Sequence, residues 1–164
     1  MKQQQNNTMF AVVDMGTNSF HILVAEMVHG QIRTLDKMSE KVRLGMYLDE
    51  HHQLSKEGQA VALDTLSRFA QRISNVPVAA RRAVGTSALR SAKNVRGFIK
   101  KAEVILGCPI DIVAGREEAR LIYLGVAHTL SDNVQRLVVD IGGGSTELIL
   151  GKKFKPKFME SLHL

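Results

Sequence analysis

Two stretches of this chain set a carboxylate at the end of an apolar run and follow it with glycine and small polar residues. The first is Val12-Val13-Asp14-Met15-Gly16-Thr17-Asn18-Ser19. The second is Val138-Val139-Asp140-Ile141-Gly142-Gly143-Gly144-Ser145. A carboxylate so placed can bind or orient a hydrated Mg²⁺. Glycines let the backbone take unusual angles and approach a ligand closely. Successive N–H groups in such a turn form a concave anion site, to which the serine hydroxyl adds a donor. Asp14 and Asp140 are therefore candidate metal ligands. Gly16, Thr17, Asn18 and Ser19 in one turn, and Gly143, Gly144 and Ser145 in the other, are candidate phosphate ligands. The plainer alternative is a hairpin turn steadied by an Asx hydrogen bond.

The two stretches align without a gap, and Ile22-Leu23-Val24 then lies over Leu148-Ile149-Leu150. The offset is far too long for a solenoid repeat. It suggests two similar domains in tandem, each opening with the same strands. Two familiar phosphate motifs fail. No third glycine follows Gly142-Gly143-Gly144 at dinucleotide spacing, and Thr146 stands where a Walker A loop ending in Gly151-Lys152 needs glycine. Both of those motifs also lead into a helix, whereas this loop leads into a strand.

Other residues could do chemistry. Glu117 and Glu118 open a helical run. Glu118 is spaced by four from Ile122, Val126 and Leu130, a stripe on which a carboxylate would be partly desolvated and its pKa raised. Glu117 lies four before Leu121, so periodicity does not separate the two, and both would suit a helix N-terminus without any catalytic part. Arg90 could bind phosphate bidentately or lie on the surface near a helix start. His21, on a strand, reads as a hydrogen-bonded core or cleft residue. His51-His52 lacks metal-ligand spacing.

The elements that would position these residues follow from periodicity. Phe10–Val13 and Phe20–Met27 are short apolar runs joined by the first turn, and His29-Gly30 leads into a third strand over 31–38, giving an antiparallel meander. Ser55 can cap a helix reaching about Asn75, with Ala62, Leu66, Phe69 and Ile73 on its buried stripe. Residues 82–84 form a short strand, and a turn of helix carries Leu89 and Arg90. Asn94 can cap a helix in which Phe98, Ala102 and Ile105 share a face. Residues 110–113 form a strand and 116–130 a helix. After the link Ser131-Asp132-Asn133 the opening pattern returns as strands over 136–141 and 146–150 and a third beginning at Phe154.

The chain has 164 residues and a formal net charge of +6. That field suits a polyanion, and Lys152, Lys153, Lys155 and Lys157 cluster near the C-terminus, although a solvated basic face explains them equally. Cys108 is the single cysteine, so no intrachain disulfide forms, which fits a reducing cytoplasm. No apolar run approaches the ~20 residues of a membrane span. Residues 1–8 read as a polar tail.

Four motifs in order, Asp14 to His21, Gly85-Thr86-Ser87-Ala88-Leu89-Arg90, Gly115-Arg116-Glu117-Glu118-Ala119 and Asp140 to Glu147, resemble the exopolyphosphatase/guanosine pentaphosphate phosphohydrolase family. Met15 and Thr17 stand where that family often has Leu and Ser. The resemblance implies an α/β, actin-like (ribonuclease H-like) fold with a mixed sheet opening in an antiparallel meander. It implies a first domain over 9–130 and only the opening strands of a second over 134–164, with the active site between them. By the same resemblance Glu118 is the general base, Asp140 positions Mg²⁺, Asp14 plays a matching part, Glu147 is a further acid at the metal, and Arg90 meets phosphate. The implied reaction releases orthophosphate from inorganic polyphosphate or guanosine pentaphosphate. The lysines lean towards polyphosphate.

The implied partners are those substrates, without nucleic acid or a membrane span, and a homodimer for a full-length protein. As a truncated piece, the chain alone is expected to turn over little. Two readings compete with this one: an ATP-dependent kinase or chaperone-type ATPase of the same broad fold, and a non-catalytic polyphosphate or alarmone sensor.

Overall fold

The computed structural model describes residues 8–130 and 133–163. Strand β1 (Thr8–Met15) begins one residue inside the expected tail, with Thr8 facing Met27. It runs antiparallel to β2 (Phe20–Val28), which pairs in turn with β3 (Gln31–Glu40). Alternation decides the faces: Ala11, Val13 and Met15 are buried on one side of β1, which leaves Asp14 on the other. The β2–β3 register shifts between Val24 and Ala25, a bulge that nothing in the alternation announces.

The chain then crosses back to pair β4 (Arg81–Gly85) and β5 (Ile110–Ile112) in parallel, giving the order β3-β2-β1-β4-β5. Parallel neighbours need long connections. Helices α1 (Lys56–Arg72) and α3 (Val95–Leu106) supply them and pack against each other. A single turn of helix, α2 (Ser87–Ser91), follows β4. The expected α1 stripe is buried throughout, and Ser55 caps the helix by accepting from Gly58 N at 3.0 Å. The core joins Val13, Phe20 and Ile22 to Leu66, Phe69, Phe98 and Leu106.

Asn94 sits at the N-cap position of α3 but does not cap it. Its Oδ1 accepts from Leu54 N at 2.8 Å and its Nδ2 donates to Leu54 O at 2.9 Å, so the amide imitates a strand neighbour. The α3 stripe is completed by Leu106 rather than Ile105, which is only partly buried.

Helix α4 (Gly115–Thr129) leads to a second sheet of β6 (Gln135–Ile141), β7 (Ser145–Lys152) and β8 (Lys155–His163), antiparallel in that order. Residues 131 and 132 of the expected link lie outside the described residues. The buried stripe of α4 is Ala119, Tyr123 and Ala127, one position on from the stripe read through Glu118; Leu130 is 52% exposed. That stripe packs on Ile149, so α4 shares its core with the second sheet. The opposite face of this sheet is open: Leu137, Val139 and Ile141 of β6 are exposed. Among the described residues no helix is long and apolar enough to cross a membrane.

Candidate active site

The two aligned turns have the same backbone. In the first, Gly16 N donates to Ser19 O at 3.1 Å; in the second, Gly142 N donates to Ser145 O at 2.9 Å. Asp14 faces His21 across its ladder, and Asp140 faces Glu147 across the equivalent one. The sequence repeat is thus a structural repeat, down to the ladder position opposite the aspartate, which His21 fills in one turn and Glu147 in the other.

The turns also touch. Ser87 Oγ donates to Gly144 O at 3.1 Å, and Ala88 N donates to Thr17 Oγ1 at 3.1 Å, so the start of α2 staples both. A Cβ on Gly143 would stand 3.0 Å from Asn18 Cβ, and one on Gly144 would stand 2.9 Å from Thr17 Oγ1. Close approach is therefore what these glycines serve. Unusual backbone angles are not: among the described glycines only Gly30 and Gly107 have a left-handed φ.

Between and behind the turns lies an open hollow of about 360 Å³. Asp14, Gly16, Thr17, Asn18, Ser19, Glu118, Asp140, Gly143, Gly144 and Ser145 all line it, so most of the residues singled out from sequence converge here. His21, Thr86 and Ser87 line it too. His21 reads from sequence as a core or cleft residue; Thr86 and Ser87 occur inside a motif, but nothing in their residue types assigns them to the cavity. Glu147 and Arg90 stand just behind the lining.

Glu118 and Glu117, indistinguishable by period, part company. Glu117 points outwards and holds Arg120 through two hydrogen bonds, of 2.7 and 2.8 Å, which lower its pKa. Glu118 is largely buried, and burial raises its pKa; a hydrogen bond from Arg90 opposes this, while the charges of Glu147 and Asp14 add to it. Arg90 Nη1 reaches Glu118 Oε2 at 3.1 Å and Val113 O at 2.8 Å, and its Nη2 is buried without a partner. The bidentate phosphate fork expected of Arg90 is thus partly committed to the protein.

The two aspartates are also perturbed. Burial raises the pKa of Asp14, which His21 partly offsets and Asp140 reinforces; Asp14 Oδ1 is buried and unpartnered. Asp140 is raised by burial and then by Glu147, whose own Oε1 accepts from Ser161 Oγ at 2.8 Å. No three His, Cys, Asp or Glu side chains among the described residues form a metal cage. An orphaned buried carboxylate oxygen beside a second carboxylate does fit Mg²⁺, which takes one or two carboxylates and completes its shell with water and phosphate.

The family model for the Ppx/GppA phosphatase family matches residues 23–164. The chain belongs to that family. Among curated relatives, a protein of Vibrio vulnificus (strain YJ016) named guanosine-5'-triphosphate,3'-diphosphate pyrophosphatase is 49% identical over 164 residues, all of this chain and 33% of that protein. A Vibrio parahaemolyticus protein of the same name is 48% identical over the same span. This chain thus spans about a third of the length of those curated relatives. Among solved structures, an exopolyphosphatase from Cytophaga hutchinsonii superposes with a TM-score of 0.89 at 32% identity, covering 95% of this chain and 50% of that one. The Ppx/GppA member from Aquifex aeolicus gives 0.83 at 28% identity, over 95% and 51%. The architecture is the α/β, actin-like one expected, with a mixed sheet opening in an antiparallel meander.

Proposed function

We propose that this chain supplies the catalytic base and both phosphate turns of a phosphohydrolase that removes the terminal orthophosphate of guanosine pentaphosphate, with inorganic polyphosphate as the second candidate substrate. The observation that carries this reading is the convergence of two like Asp–Gly turns, closed by the same hydrogen bond, and a desolvated Glu118 on one hollow. The order of substrates reverses the leaning drawn from the lysines. Lys152 and Lys155 pair at the end of β7 and β8 remote from Ser145, roughly 23 Å away at ~3.3 Å per residue, so they do not flank the hollow. The names of the relatives near half identity favour the nucleotide.

In this mechanism Glu118 accepts a proton from a water that attacks the terminal phosphorus. The bond from phosphorus to the bridging oxygen breaks, and that oxygen leaves on the shortened phosphate chain. A raised pKa brings Glu118 nearer to the working pH, where a general base is most effective. Arg90 fixes the carboxylate that faces the water. N–H groups of the Asn18–Ser19 and Gly143–Ser145 segments, with the hydroxyls of Ser19 and Ser145, would hold the transferring group. Asp14 and Asp140 would hold Mg²⁺, with Glu147 behind Asp140. When bound, the ion neutralises charge on the phosphates.

The domain reading of 9–130 and 134–164 belongs to the same proposal, with α4, which packs on the second sheet, counted in the second wall. In a protein of the relatives' full length, Glu118→Gln is expected to lower turnover by about 10²–10⁴ while binding persists. Glu117→Gln should change little. A wild-type protein that is folded, supplied with Mg²⁺ and releases no orthophosphate from either substrate would sink the proposal.

A further inference from the structure

The hollow has a charge imbalance. Asp14, Glu118 and Asp140 line it, and no lysine or arginine does. A substrate that carries phosphates beyond the reacting one needs cations for them, and charge-assisted bonds from arginine are the strong kind. Arg90 spends its Nη1 on Val113 and Glu118, which leaves only its buried Nη2 unpaired. The clustered lysines lie at the far end of the second sheet.

A second, smaller hollow of about 160 Å³ adjoins the first and shares Thr17, Asn18 and Gly143 with it. Arg43 is the cation on its border. Three observations bear on this residue. Its backbone is tied to the phosphate turn: Arg43 N donates to Asn18 O at 2.8 Å, and Gly45 N donates to Thr17 O at 3.1 Å. Its φ is 52°, in the left-handed region that residues with a β-carbon rarely adopt and that recurs at ligand sites. Its side chain is exposed, and its guanidinium has no hydrogen-bond or ion-pair partner among the described residues. By contrast Arg33, Arg68, Arg72 and Arg120 each hold a carboxylate. Lys41 borders the next hollow together with Arg43 and extends the positive track away from the turn.

We propose that Arg43, with Lys41 beyond it, is a recognition site for the non-reacting phosphates of a polyphosphorylated substrate. The assignment rests on the phosphohydrolase reading above. A planar guanidinium held beside the turn grips a phosphate through two bonds, which a lysine or an amide cannot reproduce in full. Arg43 touches neither the attacking water nor Glu118, so its contribution is uniform binding, which appears in KM and not in kcat.

The test uses a protein of the relatives' full length carrying this sequence, in three forms: wild type, Arg43→Gln and Arg43→Lys. Arg43→Gln is expected to raise KM for guanosine pentaphosphate about tenfold, the worth of one charge-assisted contact, with kcat nearly unchanged. Arg43→Lys should recover part of the loss. An effect on both guanosine pentaphosphate and polyphosphate assigns the site to phosphate chains at large; an effect on the nucleotide alone assigns it to the nucleotide's phosphates. Binding of inorganic tripolyphosphate to Glu118→Gln protein, with and without Arg43→Gln, reads the same site without turnover, and should weaken by a similar factor.

Unchanged KM and unchanged tripolyphosphate affinity would overturn the Arg43 assignment and leave the phosphohydrolase standing. So would a loss confined to kcat. If the wild type turns over neither substrate, the phosphohydrolase reading fails, and the tripolyphosphate measurement still decides whether Arg43 binds phosphate.

Discussion

Asp14 faces a histidine across its ladder, whereas Asp140, at the matching position of the second turn, faces a glutamate. Both turns close with the same hydrogen bond, so the repeat preserves the backbone device and varies the charge beside it. The surroundings differ more. The first turn grows from a five-stranded sheet backed by α1 and α3, with a core reaching from β1 to α3. The second grows from three strands backed by α4 alone, around Ala119, Tyr123, Ala127 and Ile149, with its other face exposed. One half of the site stands on a finished scaffold, and the other rests on a thin one. The difference teaches that a phosphate turn needs little local scaffold to take its shape, because its closing bond is internal. It needs a scaffold to be held at a fixed distance from its partner.

The largest effects should come from the two cores. Phe69 is fully buried in the first, and Phe69→Ala should cost about 3–5 kcal/mol, the usual range for deleting a core aromatic. Ile149 is as fully buried, but its neighbours are few and one side of its sheet is open, so the site can collapse. Ile149→Ala should fall near about 2 kcal/mol, the low end for such a change. Urea melts followed separately in each half check this. Equal losses in a single transition would break the contrast between a self-supporting first half and a dependent second half.

Contact between the turns comes next. Gly144→Ala places a Cβ 2.9 Å from Thr17 Oγ1 and 3.0 Å from Ser87 Oγ, and the turns must part by a few tenths of an ångström. Misplacement of this kind, at up to about 10²-fold for a full ångström, should cost turnover about tenfold with little change in melting temperature. Gly97→Ala, with nothing within 4 Å of its Cβ, is the control. If Gly144→Ala turns over normally, the turns are not held as one unit.

Much of this was legible in the amino-acid order. A short apolar run ended by a turn marked β1, a helical period set α1 and its buried face, and the gapless repeat announced two like turns. Other features were hidden for physical reasons. The stripe through Ala119, Tyr123 and Ala127 was masked because alanine adds little apolar bulk, while Glu118-Ile122-Val126-Leu130 shares its spacing. Glu117 and Glu118 differ only in what lies opposite, which no local pattern encodes; the resemblance alone separated them, and in the fold Glu118 lines the hollow while Glu117 holds Arg120. Asn94 looked like a cap because caps and strand-mimicking amides use the same residue. Arg43 carried no signal at all. Its left-handed backbone and its tie to Asn18 appear only once the strands are in place, since 25 residues of chain and two strands separate them.

The smallest expected effect bears most directly on the two aspartates. Both have raised pKa values, chiefly from burial, but Asp14 is the more buried and its Oδ1 has no partner. A carboxyl whose folded pKa lies above its unfolded one favours the native state while protonated. Its contribution is present below the ordinary value of 3.8 and is lost as pH rises through the folded value. Asp14→Asn removes the charge that burial penalises and should therefore stabilise the chain at pH 7 by about 1 kcal/mol, the low end for a buried polar group without a full set of partners. The gain should open as pH rises from 3.8 and stay constant above the raised value. Asp140→Asn, at a more solvated site, should gain less, although both substitutions remove a proposed metal ligand and should abolish most turnover. Thermal melts of the two variants between pH 3 and pH 8, without divalent cations, measure the difference. A larger gain at Asp140 than at Asp14 would reverse the ranking of the two turns, and would make the thin second half, not the first, the place where the carboxylate is held under strain.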